Sequence, residues 1–220
     1  MEYPEFRQRS GAVPSYSSAP DDGSRNAIFY ITTWRPEQYP RANLEAIAFH
    51  EAIPGHHLQI AIARERRGVH PITRYFGFTG FSEGWALYAE RLADELGLYS
   101  GPIDRMGFLA GEEWRAAWLV LDAGIHTRGW TREQAVEYLT THAMISPSFV
   151  QGEIDRYISW PGQATAYMLG ALEIRDLRRH AEARLADRFD IRTFHDRVLG
   201  NGGVTLPMLR EEIERWAERK

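Results

Sequence analysis

A Pro54-Gly55 pair stands in the middle of residues 44–67, a segment whose apolar residues otherwise recur at the three- and four-residue spacing of an amphipathic helix. Proline inside a helix removes a backbone donor and presses on the carbonyl four residues back, here that of His50, while glycine permits a wide backbone excursion. A regular helix cannot run through this point, so the segment must bulge there. Such interruptions cost stability and concentrate at functional sites.

The residues around the interruption are those of metal chemistry. Three of the eight histidines fall in His50-Glu51-Ala52-Ile53-Pro54-Gly55-His56-His57. In the pattern H-E-x-x-H two histidines one helical turn apart face one Zn²⁺, and the glutamate between them acts on the metal-bound water. Here the second histidine comes six residues after the first, and on an unbroken helix those two positions point to nearly opposite faces. If Pro54-Gly55 bulges out, His56 takes the missing fourth position. His57 is the alternative if the bulge takes three residues.

A zinc site of this kind needs a third protein ligand. The chain has no cysteine, which excludes disulfides, thiolate zinc sites and thiol nucleophiles and confines any metal to His, Asp and Glu. Glu83, 33 residues after His50, is the first candidate, since the interval lets one helix end, turn and bring the next beside it. Glu90 lies two turns further on the same face, as an alternative ligand or a partner of a ligating histidine. The ordinary alternative, surface histidines and a solvated Glu51, accounts poorly for an adjacent His-Glu pair, a doubled histidine and a Pro-Gly in one helix.

Elsewhere the pattern is overwhelmingly helical, over 82–96, 103–127, 132–144, 162–186 and 206–217. Ser82 is a candidate cap, Thr131 with Gln134 a capping box, and Pro147, Pro161 and Pro207 candidates for first-turn positions. Residues 1–26 read as an irregular segment, residues 27–33 (AIFYITT) as a short strand, and Gly77–Gly80 as a second strand or a turn. The expected architecture is mainly α with a small β element near the start, and one domain over 27–220. The 220 residues carry 26 Lys+Arg against 30 Asp+Glu, a formal net charge of −4, so neither nucleic acid nor an anionic membrane is the expected partner. No window approaches the ~20 apolar residues of a membrane span, and the charged N-terminus is not a signal peptide. A cytoplasmic location is the default expectation, replaced by a secreted or periplasmic one if a further N-terminal part precedes this chain.

Four blocks carry a resemblance: residues 50–59, residues 82–90, Asp122-Ala123-Gly124-Ile125-His126 with Gly129-Trp130-Thr131, and Trp160-Pro161-Gly162-Gln163-Ala164 followed by Tyr167 and Gly170. On these the chain resembles the bacterial domain of unknown function 885, a family similar to gluzincin metallopeptidases, and it matches the C-terminal half of that family. The resemblance implies a helical zincin-like fold, Zn²⁺ on His50, Glu83 and one of His56 and His57, Glu51 as general base, and a peptide or small amide as substrate. It also suggests Tyr167 as a hydroxyl at the oxyanion, because Tyr167-Met168-Leu169-Gly170 is similar to a stretch of helical carboxypeptidases. Family members are about twice as long, and the helices of the other cleft wall belong to their N-terminal half, so the alternative to an active hydrolase is a truncated or non-catalytic metal-binding half that needs a partner N-terminal portion. That portion or a homo-oligomer is the expected protein partner.

Arg115, Asp122 and His126 share one helical face. His126 is a candidate oxyanion donor or, through Asp122, an orienting group, and a surface ion-pair face explains the same spacing. The strand over 27–33 is expected to lie beside the metal helix, either as an edge that pairs with extended substrate or as cover for the core.

Overall fold

The computed structural model describes residues 1–9, 12–145 and 147–218. It is mainly helical with one two-stranded sheet. In chain order the elements are α1 (Glu5–Arg9), β1 (Ser15–Ser17), β2 (Ile28–Tyr30), α2 (Leu44–Glu51), α3 (His56–Glu65), α4 (Pro71–Tyr75), α5 (Thr79–Glu95), α6 (Pro102–Arg128), α7 (Arg132–His142), α8 (Pro147–Ser159), α9 (Gln163–Leu185), α10 (Ile191–Leu199) and α11 (Leu206–Ala217). Short 3₁₀ turns stand before α2 and after α9.

Most helix starts follow local chemistry. Thr131 and Gln134 form the capping box of α7, while Asp190 and Thr205 cap α10 and α11 by accepting from the backbone N–H of Thr193 and Met208. Pro207 sits in the first turn of α11. Two starts differ from the sequence pattern. Helix α5 begins at Thr79, which puts Ser82 inside the helix and leaves Gly77–Gly80 without a strand. Pro161 lies in the turn between α8 and α9 instead of opening a helix.

The first 26 residues are more ordered than their composition suggests. They carry α1 and β1, and β1 pairs antiparallel with β2 in the register Ser15 to Tyr30, Tyr16 to Phe29 and Ser17 to Ile28. Residues 10 and 11 of that stretch lie outside the described residues. Strand β2 is shorter than the 27–33 pattern; β1 pairs with it, and Ile31, just past its end, bridges to Glu2. Of the two, β1 is the strand that faces α2, its Tyr16 N–H donating to Glu51.

The described residues build two apolar cores. One joins Phe81, Trp85 and Tyr88 of α5 to Ile174, Leu177 and Ala181 of α9 and to Phe194, Val198, Leu209 and Ile213 of α10 and α11. The other joins Trp118 and Leu121 of α6 to Leu139, Ile154, Tyr157 and Ala164 of α7, α8 and α9. Burying each of the large side chains contributes roughly 1.5–3 kcal/mol.

The most extensive contact in the molecule is α5 on α9. It is a backbone-to-backbone crossing, since a methyl group at Gly84 would overlap Gly170, and one at Gly170 would overlap Gly80 and Gly84. Absent side chains let the two axes approach until the helices touch. Glu83 adjoins this contact on one helix, and Tyr167 stands one turn from it on the other.

Candidate metal centre

The helix over 44–67 breaks where Pro54-Gly55 stands. Helix α2 ends at Glu51, residues 52–55 leave the helical path, and α3 restarts at His56. Gly55 is required by close approach, because a side chain there would collide with the backbone carbonyls of Phe49 and His50. The indole of Trp85 on α5 holds the detour by donating Nε1–H to the carbonyl of Pro54, 2.9 Å away. His50 and His56 thereby face one another, with ring centroids 4.8 Å apart at 90°.

Glu83 completes the group from α5. Its Oε2 lies 3.3 Å from His50 Nε2 and 3.4 Å from His56 Nε2, and ligand atoms of all three residues lie within 4.8 Å of one another. Four-coordinate zinc with bonds of about 2.0–2.2 Å spaces its donors about 3.3–3.6 Å apart, so two of the three edges already match. Glu83 Oε2 is also buried without a hydrogen-bond partner. A buried carboxylate oxygen between two imidazole nitrogens calls for positive charge, from a metal ion or from a protonated imidazole, to offset its burial. The residues present suit a zinc ion by donor type and number, and by two of the three separations.

His57, the alternative ligand, turns away from this group. Its Nδ1 is 3.1 Å from the hydroxyl of Tyr16 on β1. The break thus brings His56, and not His57, to His50 and Glu83.

The surroundings organise the donors. Glu90 is fully buried, and its Oε1 accepts from His50 Nδ1 at 2.7 Å, which leaves Nε2 as the nitrogen facing Glu83. Arg115 of α6 approaches the same Oε1 at 3.7 Å. Burial opposes charge on His50, but Glu83 and Glu90 outweigh it and push the imidazole up to about 9. Burial also opposes charge on Glu83, and the two imidazoles overcome it, holding this carboxyl well below the usual carboxylate range. Glu51 goes the other way: burial raises it, with the neighbouring histidines and a backbone hydrogen bond offsetting part of the rise. That bond comes from Tyr16 N–H of β1 to Glu51 Oε2 at 2.7 Å.

Tyr167 of α9 lies beside the cluster, its ring stacked on that of His50 at 6.5 Å and 20°. Burial pushes its hydroxyl up to about 12, with the charge of Glu83 adding to the rise. His126 has a different setting. Its Nε2 is 2.9 Å from the backbone carbonyl of Tyr157, and Asp122 accepts from Gly162 N–H at 2.9 Å. This pair on α6 anchors the turn between α8 and α9, and neither residue belongs to the group of His50, His56 and Glu83. Tyr16 was illegible as a site residue, because it sits in a Ser- and Pro-rich stretch without period.

The chain belongs to the bacterial proteins of unknown function known as DUF885, whose family pattern matches residues 1–213. It is 40% identical to a protein from Colwellia psychrerythraea whose crystal structure is described as that of a "putative lipoprotein". The likeness has a TM-score of 0.96, covering 100% of this chain and 38% of that one. A "putative lipoprotein of unknown function" from Shewanella oneidensis is 25% identical with a TM-score of 0.78, over 94% of this chain and 42% of that one. This chain therefore spans about two fifths of the length of these solved relatives. No curated protein matches it.

Proposed function

We propose that this chain carries the catalytic centre of a zinc-dependent, metallopeptidase-like hydrolase of peptide or related amide bonds, with a gluzincin-like ligand set of His50, His56 and Glu83. The observation that carries the reading is the buried, otherwise unpartnered Oε2 of Glu83 placed 3.3 and 3.4 Å from two imidazole nitrogens, with Glu51 adjoining. Zinc bound there supplies Lewis acidity toward a carbonyl and acidifies a water.

The chain's own groups then divide the proton work. Tyr16 N–H occupies Oε2 of Glu51, so Oε1 is the atom that accepts the proton of the attacking water and later returns it to the leaving amine. Burial of Glu51 raises its basicity toward that task. Tyr167 donates its hydroxyl hydrogen to the carbonyl oxygen as negative charge develops there. His126 acts at one remove, by holding the Tyr157 carbonyl.

Two measurements test this. Metal analysis of the purified protein should return about one zinc per chain, and absence of zinc sinks the site. Glu51→Gln should keep zinc while lowering hydrolysis of a fluorescence-quenched peptide library by at least ~10²-fold, in the range of lost general-base catalysis. Undiminished cleavage by this variant overturns the assignment.

A second reading has its own support: the centre works only when further polypeptide supplies the other cleft wall. Met106, Leu109, Glu113, Ala116, Val120, Ala123 and Thr127 alternate at three and four residues along α6, and all are exposed. A largely apolar seam at heptad spacing suits a second helix. We assign as its occupant the polypeptide that the longer relatives carry outside the match. Co-elution with that part of the Colwellia chain, lost on Val120→Glu, supports this reading. A homodimer or two independent monomers overturns it.

The two solved relatives are described as putative lipoproteins, which favours an envelope or secreted setting over the cytoplasm. No helix among the described residues is long and apolar enough to cross a membrane.

A further inference from the structure

Trp160-Pro161-Gly162-Gln163 stands out in the sequence, yet none of its residues belongs to the metal group. Its last member connects two features. Gln163 opens α9, one turn before Tyr167, so the two side chains share a helix face. Arg156 of α8 donates from Nη1 to Gln163 Oε1 at 2.6 Å, and Gln163 Nε2 lies 3.2 Å from the Tyr167 hydroxyl.

The order of donors in this chain of contacts is forced. A guanidinium has no acceptor, so the atom of Gln163 that meets Arg156 must be the carbonyl oxygen. The amide nitrogen is then the atom facing Tyr167. It has no lone pair to offer, so it donates, and the phenol oxygen accepts. The Tyr167 hydrogen therefore cannot serve Gln163 and is left for another acceptor.

The rest of the motif and the polar face of α6 hold this arrangement in place. Glu153 accepts from Arg156 Nη2 at 2.9 Å and from the Tyr157 hydroxyl at 2.6 Å, fixing the guanidinium. Gly162 has φ +79°, a left-handed conformation that favours glycine, and its N–H is held by Asp122 at 2.9 Å. His126 holds the Tyr157 carbonyl from the same helix.

We propose that Gln163 is a positioning residue: fixed by Arg156, it donates to the Tyr167 oxygen and so commits the tyrosine to act as a hydrogen-bond donor toward substrate. The proposal rests on Tyr167 being the oxyanion donor and adds what sets its polarity. The Gln163 contact acts to lower the Tyr167 pKa, against the rise that burial causes, in accord with an amide donating to that oxygen.

The test is reversal of the amide. Gln163→Glu keeps the shape but replaces the donor by an acceptor, which takes the Tyr167 hydrogen for itself. Gln163→Met removes the contact without offering an acceptor. The tyrosine Fermi doublet in ultraviolet resonance Raman spectra, isolated as each protein minus its own Tyr167→Phe counterpart, reports whether a phenol donates or accepts. The parent should show the acceptor signature and Gln163→Glu the donor one. An unchanged doublet in Gln163→Glu, or a parent doublet of donor type, overturns the proposal.

On the fastest-cleaved library peptide, Gln163→Glu should lower kcat about 10²-fold with KM within about threefold, as expected for loss of a transition-state donor, and Gln163→Met less. Equal kcat for parent and Gln163→Glu overturns it as well. If the parent cleaves no peptide, the proposed function fails, and the Raman doublet still decides the role of Gln163.

Discussion

The two arms of the candidate centre are held by opposite means. His50 and His56 come from α2 and α3, one helical segment broken at 52–55, whereas Glu83 and Tyr167 come from α5 and α9, two unbroken helices in backbone contact. In the first arm a local interruption rotates one histidine onto the other's face. In the second, residues 84 positions apart in the chain are brought to one place by a glycine crossing. Local strain can aim a side chain, but only tertiary packing can fix the distance between helices remote in sequence.

Breaking the crossing should have the largest effect. Gly170→Ala forces a methyl group into the backbone of Gly80, so α5 and α9 must separate along their main contact. A loss of about 3 kcal/mol or more is expected, at the upper end of overpacking. Thermal melts of parent and variant check this, and an unaltered Tm would show that the crossing yields easily.

Gly55→Ala tests the other arm, and should separate metal binding from folding. The added methyl meets the carbonyls of Phe49 and His50 at the break, and residues 52–55 are themselves outside both cores, touching the first one through the Trp85 indole. Stability should fall by about 1–2 kcal/mol while zinc affinity falls at least ~10²-fold, because His56 leaves its place. Competition with a chromogenic chelator measures the second quantity. Equal losses for Gly55→Ala and Gly170→Ala in both quantities would erase the distinction between the arms.

Glu90→Gln sharpens the comparison from within the site. Glu90 belongs to α5 yet orients His50 of α2, so it joins the two arms. Losing its charge should lower zinc affinity about 10- to 100-fold, the usual cost of an outer partner of a ligating histidine. Calorimetric zinc titration reads it directly. No change would leave His50 oriented by Glu83 alone.

Acid should probe the packed arm without involving metal. His195 of α10 has its Nε2 2.8 Å from the Tyr88 hydroxyl and meets the Trp85 ring edge-on. Burial and then the charge of Arg178 lower its pKa to about 4, with Asp196, Glu95 and Asp190 acting in the opposite sense. The unfolded chain, with an ordinary value near 6.5, binds this proton more readily, so stability is present above that pH and is lost as pH falls toward 4. Its partial exposure reduces the contribution to about 1 kcal/mol. His195→Gln should flatten that part of the pH–stability curve, and an identical curve for both proteins would remove His195 from the account.

Much of the first arm was legible in the sequence. The six-residue separation of His50 and His56 makes sense only with a displaced Pro54-Gly55, and helical periodicity placed Glu83 and Glu90 on one face. Periodicity was silent about residues 1–26, where Ser, Pro and Gly give neither period 2 nor period 3.6, and so β1 and its Tyr16 went unseen. The polar face of Arg115, Asp122 and His126 was visible, but which partners it meets was not. Arg115 approaches Glu90, while Asp122 and His126 pin the turn before α9.

The sequence by itself determined that the chain is mainly helical, that any metal must rest on histidines and carboxylates, and that one helix must break between His50 and His56. These follow from side-chain period, from the absence of thiols and from the geometry of proline and glycine, all of which act over a few residues. Only the tertiary structure set His56, and not His57, beside His50 and Glu83, gave Glu51 its backbone donor from β1, and brought Tyr167 beside His50. Those outcomes depend on how closely α5 and α9 approach and on which strand lies over α2. Such distances are set by packing between segments far apart in the chain, and local sequence period carries no record of them.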